Sequence, residues 1–596
     1  MSLSAEHLGT TWRCASRGPA LNWPRRAALT RPGRVLPLAR YALTVVLLCW
    51  NIGAHPDYAY NWEQYTARDT LDFWAAPSLE IFRPTDGLMT NSGTSPLIAL
   101  PIWLAFKLGG VGLTALRVPI ALLAGLAVPL LWLLGRRLAG TTAATLAALL
   151  LALTPSYLLY ARTATLVGLS VTFALATALL LYRVLGRPQS WWALLGLQAL
   201  LIVNTYAYAP IRLLWPLSLA LLGWELLWRR RERRWFLLAL LLTAFVFPVC
   251  IVAADQRRHQ PVKALERYYN AGGEQVQNMS LRPDNFEPFL QSMPKRGADG
   301  AYAVTSTQLA RQLIAQNAAD FANLLLDRHT DSALLSYWSL HGRLYTLALV
   351  PFFFLGLGRA LWRSWRHLAD RTLLAFFLGF GLPMLLTSRV HIGRLVFFLP
   401  FLLLLVAGGF VLAATWLGRG LDRLTVAVAG AGHDTAPYRR ALLLALAAVL
   451  LLGVARSAWA DYRLPPNPRL EARVTALLRE AVPAAAARGG GVVLIVDDGS
   501  EREIEQLSVG EYQLALYTRY RFVDLLVGNI PAVAEASRPA LYYGNPLAQI
   551  ERLATAPGGC ANVYYLASAF EAKFASASAR HRAACGRAPE YHLLPN

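Results

Sequence analysis

The stretch His55-Pro-Asp-Tyr-Ala-Tyr-Asn-Trp-Glu-Gln-Tyr-Thr-Ala-Arg-Asp69, followed closely by Asp72, sets four carboxylates among aromatic residues just beyond an apolar segment. A carboxylate near a low-dielectric medium holds its proton more tightly. That suits a general base taking a proton from a hydroxyl. Asp57 and Glu63 are the candidates for this role; the competing reading is a solvated loop carrying ordinary surface acids. Three other segments end in arginine: Tyr157-Leu-Leu-Tyr-Ala-Arg162, Asn204-Thr-Tyr-Ala-Tyr-Ala-Pro-Ile-Arg212 and Ser388-Arg-Val-His-Ile-Gly-Arg394. A guanidinium at the membrane boundary offers forked hydrogen bonds to a phosphate or diphosphate. Arg162, Arg212 and Arg394, with His391 beside the last, are therefore candidate phosphate ligands. Arg117, near the start of its own apolar segment, is a weaker one. The bland alternatives are snorkelling to headgroups or a structural Arg–carboxylate pair. Tyr206 and Tyr208 could line a sugar site or sit in the aromatic belt of a membrane.

Such groups need a frame, and the frame is apolar. Of 596 residues 56% are hydrophobic and 15% charged, against about 25% charged in a soluble domain. Apolar stretches of spanning length recur at about Leu36–Ile52, Leu113–Leu134, Thr142–Tyr160, Leu166–Val184, Trp191–Tyr208, Ile211–Leu227, Trp235–Ala253, Leu344–Leu361, Thr372–Thr387, Leu395–Trp416 and Ala441–Leu452. Counted alternately, the loops of one side hold Arg136-Arg137, Arg183 with Arg187, Arg229 to Arg234, Arg359 to Arg371, and Arg419 to Arg440. All are basic, which puts that side inside. The count works only if Ser95–Leu108, short and carrying two prolines, does not cross. The sequence thus predicts a polytopic α-helical membrane protein of about eleven spans, with an inside N-terminus and an outside C-terminus. The net charge of +22 sits at segment ends, as in Trp228-Arg-Arg-Arg-Glu-Arg-Arg234. That is topogenic charge rather than a nucleic-acid surface.

The chain divides into a disordered basic cytoplasmic tail (1–35), a membrane domain (36–457) and an extracytoplasmic domain (458–596). Outer loops are expected at 55–94 and 255–343, the second with an amphipathic helix near Thr307–Leu326. The last domain reads as small and α/β: helices near Arg469–Ala487 and Leu547–Ala554, strands at Gly491–Val496 and Ala561–Leu566. Cys560 and Cys585 share it, where an oxidising compartment permits a disulfide. No CxxC or HxxxH pattern points to a metal site, so no cofactor is assigned; the scattered carboxylates leave a divalent cation open.

At these residues the chain resembles the polyprenyl-phosphate-sugar-dependent membrane glycosyltransferases of the protein O-mannosyltransferase and aminoarabinose-transferase superfamily. The resemblance runs from about Leu36 to Ala414. It rests on the order of an acidic first outer loop, Thr94-Ser-Pro-Leu97, Leu116-Arg-Val-Pro119, Gly135-Arg-Arg-Leu138, Leu153-Thr-Pro155 with Ala161-Arg162, Tyr206-Ala-Tyr-Ala-Pro-Ile-Arg212, and His391-Ile-Gly-Arg394 before Leu399-Pro400. It implies the C-type glycosyltransferase architecture and inverting transfer of a sugar from a polyprenyl phosphate or diphosphate carrier. The acceptor, a lipid, glycan or protein, would lie on the outer face. It also implies that a first-loop Asp, often in an Asp-Glu pair, acts as base and that basic residues hold the lipid phosphate. The chain departs from the pattern at that pair. Trp62-Glu63 takes its place by spacing, while Asp57 is equally placed by chemistry.

Two other classes compete. A transporter or lipid flippase would carry polar residues at the midplane or broken, repeated helices; here the span interiors are mostly Leu and Ala and the polar groups collect at one face. A non-catalytic protein that binds lipid-linked glycan would explain the missing pair.

Overall fold

The computed structural model describes residues 31–53, 95–110, 112–256, 306–326, 346–386, 392–429 and 436–463. It also describes Glu63, Thr66, Ala67 and Thr70, six short strands between 295 and 593, and isolated positions at 579–586. Sixteen helices carry the described part: α1 Arg31–Cys49, α2 Pro96–Gly109, α3 Leu113–Gly125, α4 Ala127–Leu138, α5 Thr141–Leu153, α6 Pro155–Arg162, α7 Leu166–Gly186, α8 Trp191–Asn204, α9 Leu214–Trp228, α10 Arg233–Gln256, α11 Ser306–Leu325, α12 Val350–Ser364, α13 Leu368–Gly381, α14 Ile392–Leu395, α15 Leu399–Ala429 and α16 Ala436–Arg463. Helices dominate because a chain surrounded by hydrocarbon must satisfy each backbone N–H and C=O within its own segment.

Among the described residues seven helices are long and apolar enough to cross a bilayer, and eight if one bent pair counts as a span. The protein is an integral membrane protein. α2 falls on the segment expected not to cross. Its 14 residues, as many as α8 has, rise about 21 Å against a hydrocarbon core of about 30 Å. Ser95 caps it, accepting from the Leu97 N–H at 3.2 Å, with Pro96 in the first turn, where its missing N–H costs nothing.

The bent pair falls on one expected span. Thr142–Tyr160 reads as a single apolar segment, and in the fold it divides into α5 and α6, which meet at 61°. Pro155 opens α6 and drives Thr154 into an extended conformation, φ −74° and ψ 123°, which a residue before proline prefers. The Thr154 hydroxyl turns back to donate to the Leu150 carbonyl at 2.7 Å. The break aims α6 and its terminal Arg162 away from the line of α5.

Close helix packing rests on small residues. A Cβ on Gly356 of α12 would strike the Leu405 carbonyl oxygen of α15, and one on Gly409 would strike the Phe352 carbonyl oxygen. The two backbones are in direct contact over one helical turn. In lipid, where no hydrophobic force joins helices, such approach is a main source of association. Beside this contact Phe376 stacks on Phe401 at 4.8 Å and Phe377 lies 4.6 Å from Phe398. At the basic end of the bundle, buried Glu225 of α9 receives Arg229 at 2.6 Å and Arg371 of α13. Arg363 of α12 reaches Asp370 of α13 at 3.3 Å.

Strands β1 Lys295–Arg296 and β2 Ala301–Tyr302 pair antiparallel. In the C-terminal region β3 Val492–Asp497, β4 Ala540–Tyr543, β5 Asn562–Ala567 and β6 Glu590–Leu593 form one parallel sheet in the order β4-β3-β5-β6. Val493 faces Ala540 on one side and Val563 on the other. The helices expected at Arg469–Ala487 and Leu547–Ala554, Cys560 and Cys585 lie outside the described residues.

Candidate functional site

Glu63, Thr66, Ala67 and Thr70 are each helical and buried, a spacing that lays one helical face on the bundle. Glu63 is 0% exposed and meets Arg117 of α3, 1% exposed, in a two-pronged ion pair. Arg117 Nε donates to Oε1 at 2.9 Å and Nη2 to Oε2 at 2.8 Å. The third guanidinium nitrogen, Nη1, donates to the Ile52 carbonyl at the end of α1 at 2.9 Å. The backbone N–H of Ala164, between α6 and α7, donates to Glu63 Oε1 at 2.8 Å. One buried cluster thus fastens the first loop to α1, α3 and the α6–α7 elbow. Both carboxylate oxygens are engaged by fixed donors. The sequence offers Glu63 as a base; in the fold it is one half of a buried, hydrogen-bonded pair.

Arg162 ends α6 two residues before that elbow. It is 8% exposed, and its Nη1 donates to the Leu47 carbonyl of α1 at 3.3 Å. The elbow is dressed with hydroxyls: Thr163 Oγ1 lies 3.4 Å from Thr165 Oγ1 and donates to the Tyr160 carbonyl at 3.3 Å. α7 then returns tightly, because a side chain on Gly168 would collide with the Tyr160 backbone. Two residues on, Ser170 Oγ accepts from the Tyr208 N–H at 3.0 Å. That bond joins the elbow to the segment Tyr206–Arg212. Tyr208 is buried and stacks on Phe397, centroids 5.6 Å apart. Arg212 lies in the 3-10 turn Ala209–Leu213 and donates through Nη2 to the Thr205 carbonyl at 3.0 Å. Tyr206 is half-buried.

Arg394 lies in α14, which packs against α6 and stands just before Phe397. The fold therefore brings Glu63, Arg162, Tyr208 and the backbone of Arg394 to one end of the bundle. α11, from the second long loop, docks at that end: Phe321 meets Phe398 at 5.4 Å, and Asn317 Nδ2 donates to the Leu385 carbonyl at 3.1 Å. Asp57 and His391 lie outside the described residues. Among the described residues no three His, Cys, Asp or Glu side chains gather as a metal site. The sequence reading missed the elbow itself, Thr163 to Thr165, and Ser170; the signal for the first was Pro155, which breaks the span in front of them.

Fold and site together define a polytopic helical membrane protein in which Glu63, Arg117, Arg162 and the Thr163–Thr165 hydroxyls come together where loops meet broken and 3-10 helices. Residues 93–252 match the family described as dolichyl-phosphate-mannose-protein mannosyltransferase, in keeping with the resemblance drawn above. No curated protein matches the chain. Among solved structures, the archaeal oligosaccharyltransferase AglB from Archaeoglobus fulgidus, in complex with an inhibitory peptide and a dolichol-phosphate, aligns at 14% identity and TM-score 0.49, covering 86% of this chain and 65% of that one. ArnT from Cupriavidus metallidurans, bound to undecaprenyl phosphate, aligns at 12% identity and TM-score 0.42, covering 80% of this chain and 83% of that one. At this depth neither likeness carries an argument about reaction or substrate. The chain spans about two thirds of the archaeal protein's length.

Proposed function

We propose that the protein is an inverting glycosyltransferase that moves a sugar from a polyprenyl phosphate or diphosphate carrier to an acceptor on the extracytoplasmic face. The observation that carries the reading is the buried Glu63–Arg117–Ala164 cluster. It ties Glu63 of the acidic first loop to α3 and to the elbow that follows Arg162, which supports a reading in which a first-loop base works beside a phosphate clamp. Asp57 is the base on the acceptor hydroxyl. Glu63, its oxygens occupied, is the strut that sets the loop. Arg162, Arg212 and Arg394, with His391, receive the phosphate that departs. Its negative charge grows as the glycosidic bond breaks, so cations held there favour the transition state over the ground state. Tyr206 and Tyr208 line the sugar's side, and α11 lies where it can exclude water.

In this reading the eleven-span topology holds, with α1, α8 and α10 crossing beside the seven helices and the bent pair. The site end faces outward, and the parallel sheet belongs to an extracytoplasmic α/β domain. Partners are the lipid-linked sugar, the membrane and a lipid, glycan or protein acceptor. A carrier or flippase would need charged groups at the midplane; the buried charged side chains Arg117, Arg162, Glu225 and Asp370 lie near helix ends instead.

The test is sugar transfer by purified protein from radiolabelled polyprenyl-phosphate sugars, with and without a divalent cation. Asp57→Asn is expected to lower turnover by about 10²–10⁴-fold while lipid binding persists. Tight lipid-glycan binding without turnover on any donor, unaltered by Asp57→Asn, would reassign the protein as a binding module.

A further inference from the structure

Away from that site, α1, α4 and α5 meet around Trp132. The guanidinium of Arg40 on α1 lies 4.6 Å from the indole centroid and that of Arg136 on α4 lies 4.8 Å from it. Arg40 Nη2 and the indole N–H both donate to Thr145 Oγ1 of α5, at 3.1 and 3.2 Å. Arg40 Nη1 is shut off from solvent and meets no acceptor among the described residues. The other ion pairs differ: Arg229, Arg371, Arg363 and Arg439 each face a carboxylate. No such pair is formed by Arg40 or Arg136 among the described residues. Each guanidinium has a cation–π contact with the ring, and neither charge is met by a carboxylate of the described residues. The arrangement calls for an anion with several acceptor oxygens.

The surroundings show where it comes from. Leu43 and Leu47 follow Arg40 on the same side of α1 and are 54% and 36% exposed. An apolar stripe therefore leads away from the cationic pair along the outside of the bundle. We infer that Arg40 and Arg136 bind the phosphate of an anionic phospholipid, whose acyl chains lie along Leu43 and Leu47. The forked guanidiniums suit phosphate oxygens, and a basic pocket between membrane helices suits an anionic headgroup. Thr145 sets the tilt of Arg40 through Nη2.

The test is native mass spectrometry of the full chain in detergent, with phosphatidylglycerol or phosphatidylcholine added. Phosphatidylglycerol adducts are expected to exceed phosphatidylcholine adducts by about tenfold. The Arg40→Gln/Arg136→Gln variant is expected to lose that excess, while Arg231→Gln/Arg233→Gln, which removes the same charge elsewhere, keeps it. Should the first pair fail to fold, Arg136→Gln alone decides, with a several-fold loss expected. Equal retention of the two lipids, or an undiminished excess in the site variants, overturns the inference. So does inorganic phosphate that displaces phosphatidylglycerol and occupies the site alone, since the ligand would then be a free anion.

Discussion

Replacing Glu63 by Gln changes few atoms and much of the electrostatics. One carboxylate oxygen becomes an amide that donates toward Arg117 Nη2, itself a donor held 2.8 Å from that oxygen. The other oxygen still accepts, but from Arg117 Nε and the Ala164 N–H without a full charge. The guanidinium is 1% exposed, so no water replaces the lost partner. Breaking a buried pair from one side costs about 3–5 kcal/mol. Glu63→Gln and Arg117→Met should each lower the unfolding midpoint in detergent by that equivalent. Their combination should cost less than the sum by at least about 2 kcal/mol, because neither strands a charge. The assay is a double-mutant cycle on thermal or denaturant unfolding, with sugar transfer measured on each variant. A Glu63→Gln protein with a wild-type midpoint and no turnover would refute the reasoning and make Glu63 the base. Strictly additive costs would show that the pair does not act as a unit.

Three further outcomes follow from other contacts. Gly409→Ala sets a methyl against the Phe352 carbonyl and is expected to destabilise by about 1–3 kcal/mol or more, whereas Gly408→Ala, with nothing within 4 Å of its new Cβ, should be neutral or slightly stabilising in parallel unfolding curves. Glu225→Gln leaves Arg371 without its carboxylate and Arg229 with only Glu232, at 3.3 Å; both arginines are about a quarter exposed, so the loss should be about 2 kcal/mol rather than the full buried value. A tag on the N-terminus should resist protease added outside sealed cells and one on the C-terminus should be cut; both on one side would break the eleven-span topology.

Much of the frame is legible because bilayers ask little of sequence beyond length and polarity. Leu113–Leu138 and Leu399–Thr425 declare themselves by hydropathy alone. Ser95-Pro96 marks the start of a short helix by its cap. Thr154-Pro155 marks a break as plainly, through the steric rule for residues before proline, yet the apolar run on either side conceals it. Pairing is less legible. Glu63 and Arg117 lie 54 positions apart, and nothing local distinguishes a carboxylate that will be buried against a cation from one that will meet substrate. Hydropathy even favours the wrong weighting, since it treats Arg117 as a snorkelling charge at a span end. Tyr208 reads as an interfacial aromatic; its stacking on Phe397 and its tie to Ser170 are tertiary facts.

The bare-backbone seam at Gly356 and Gly409 also has a mechanical meaning. Two helices separated by a layer of side chains can slide as rotamers exchange, but here carbonyl oxygens meet glycine Cα atoms with no deformable layer between. α12 and α15 therefore behave as one post. If the protein works as proposed, the motions that admit its lipid donor fall to the segments hung on that post, α11 and α14.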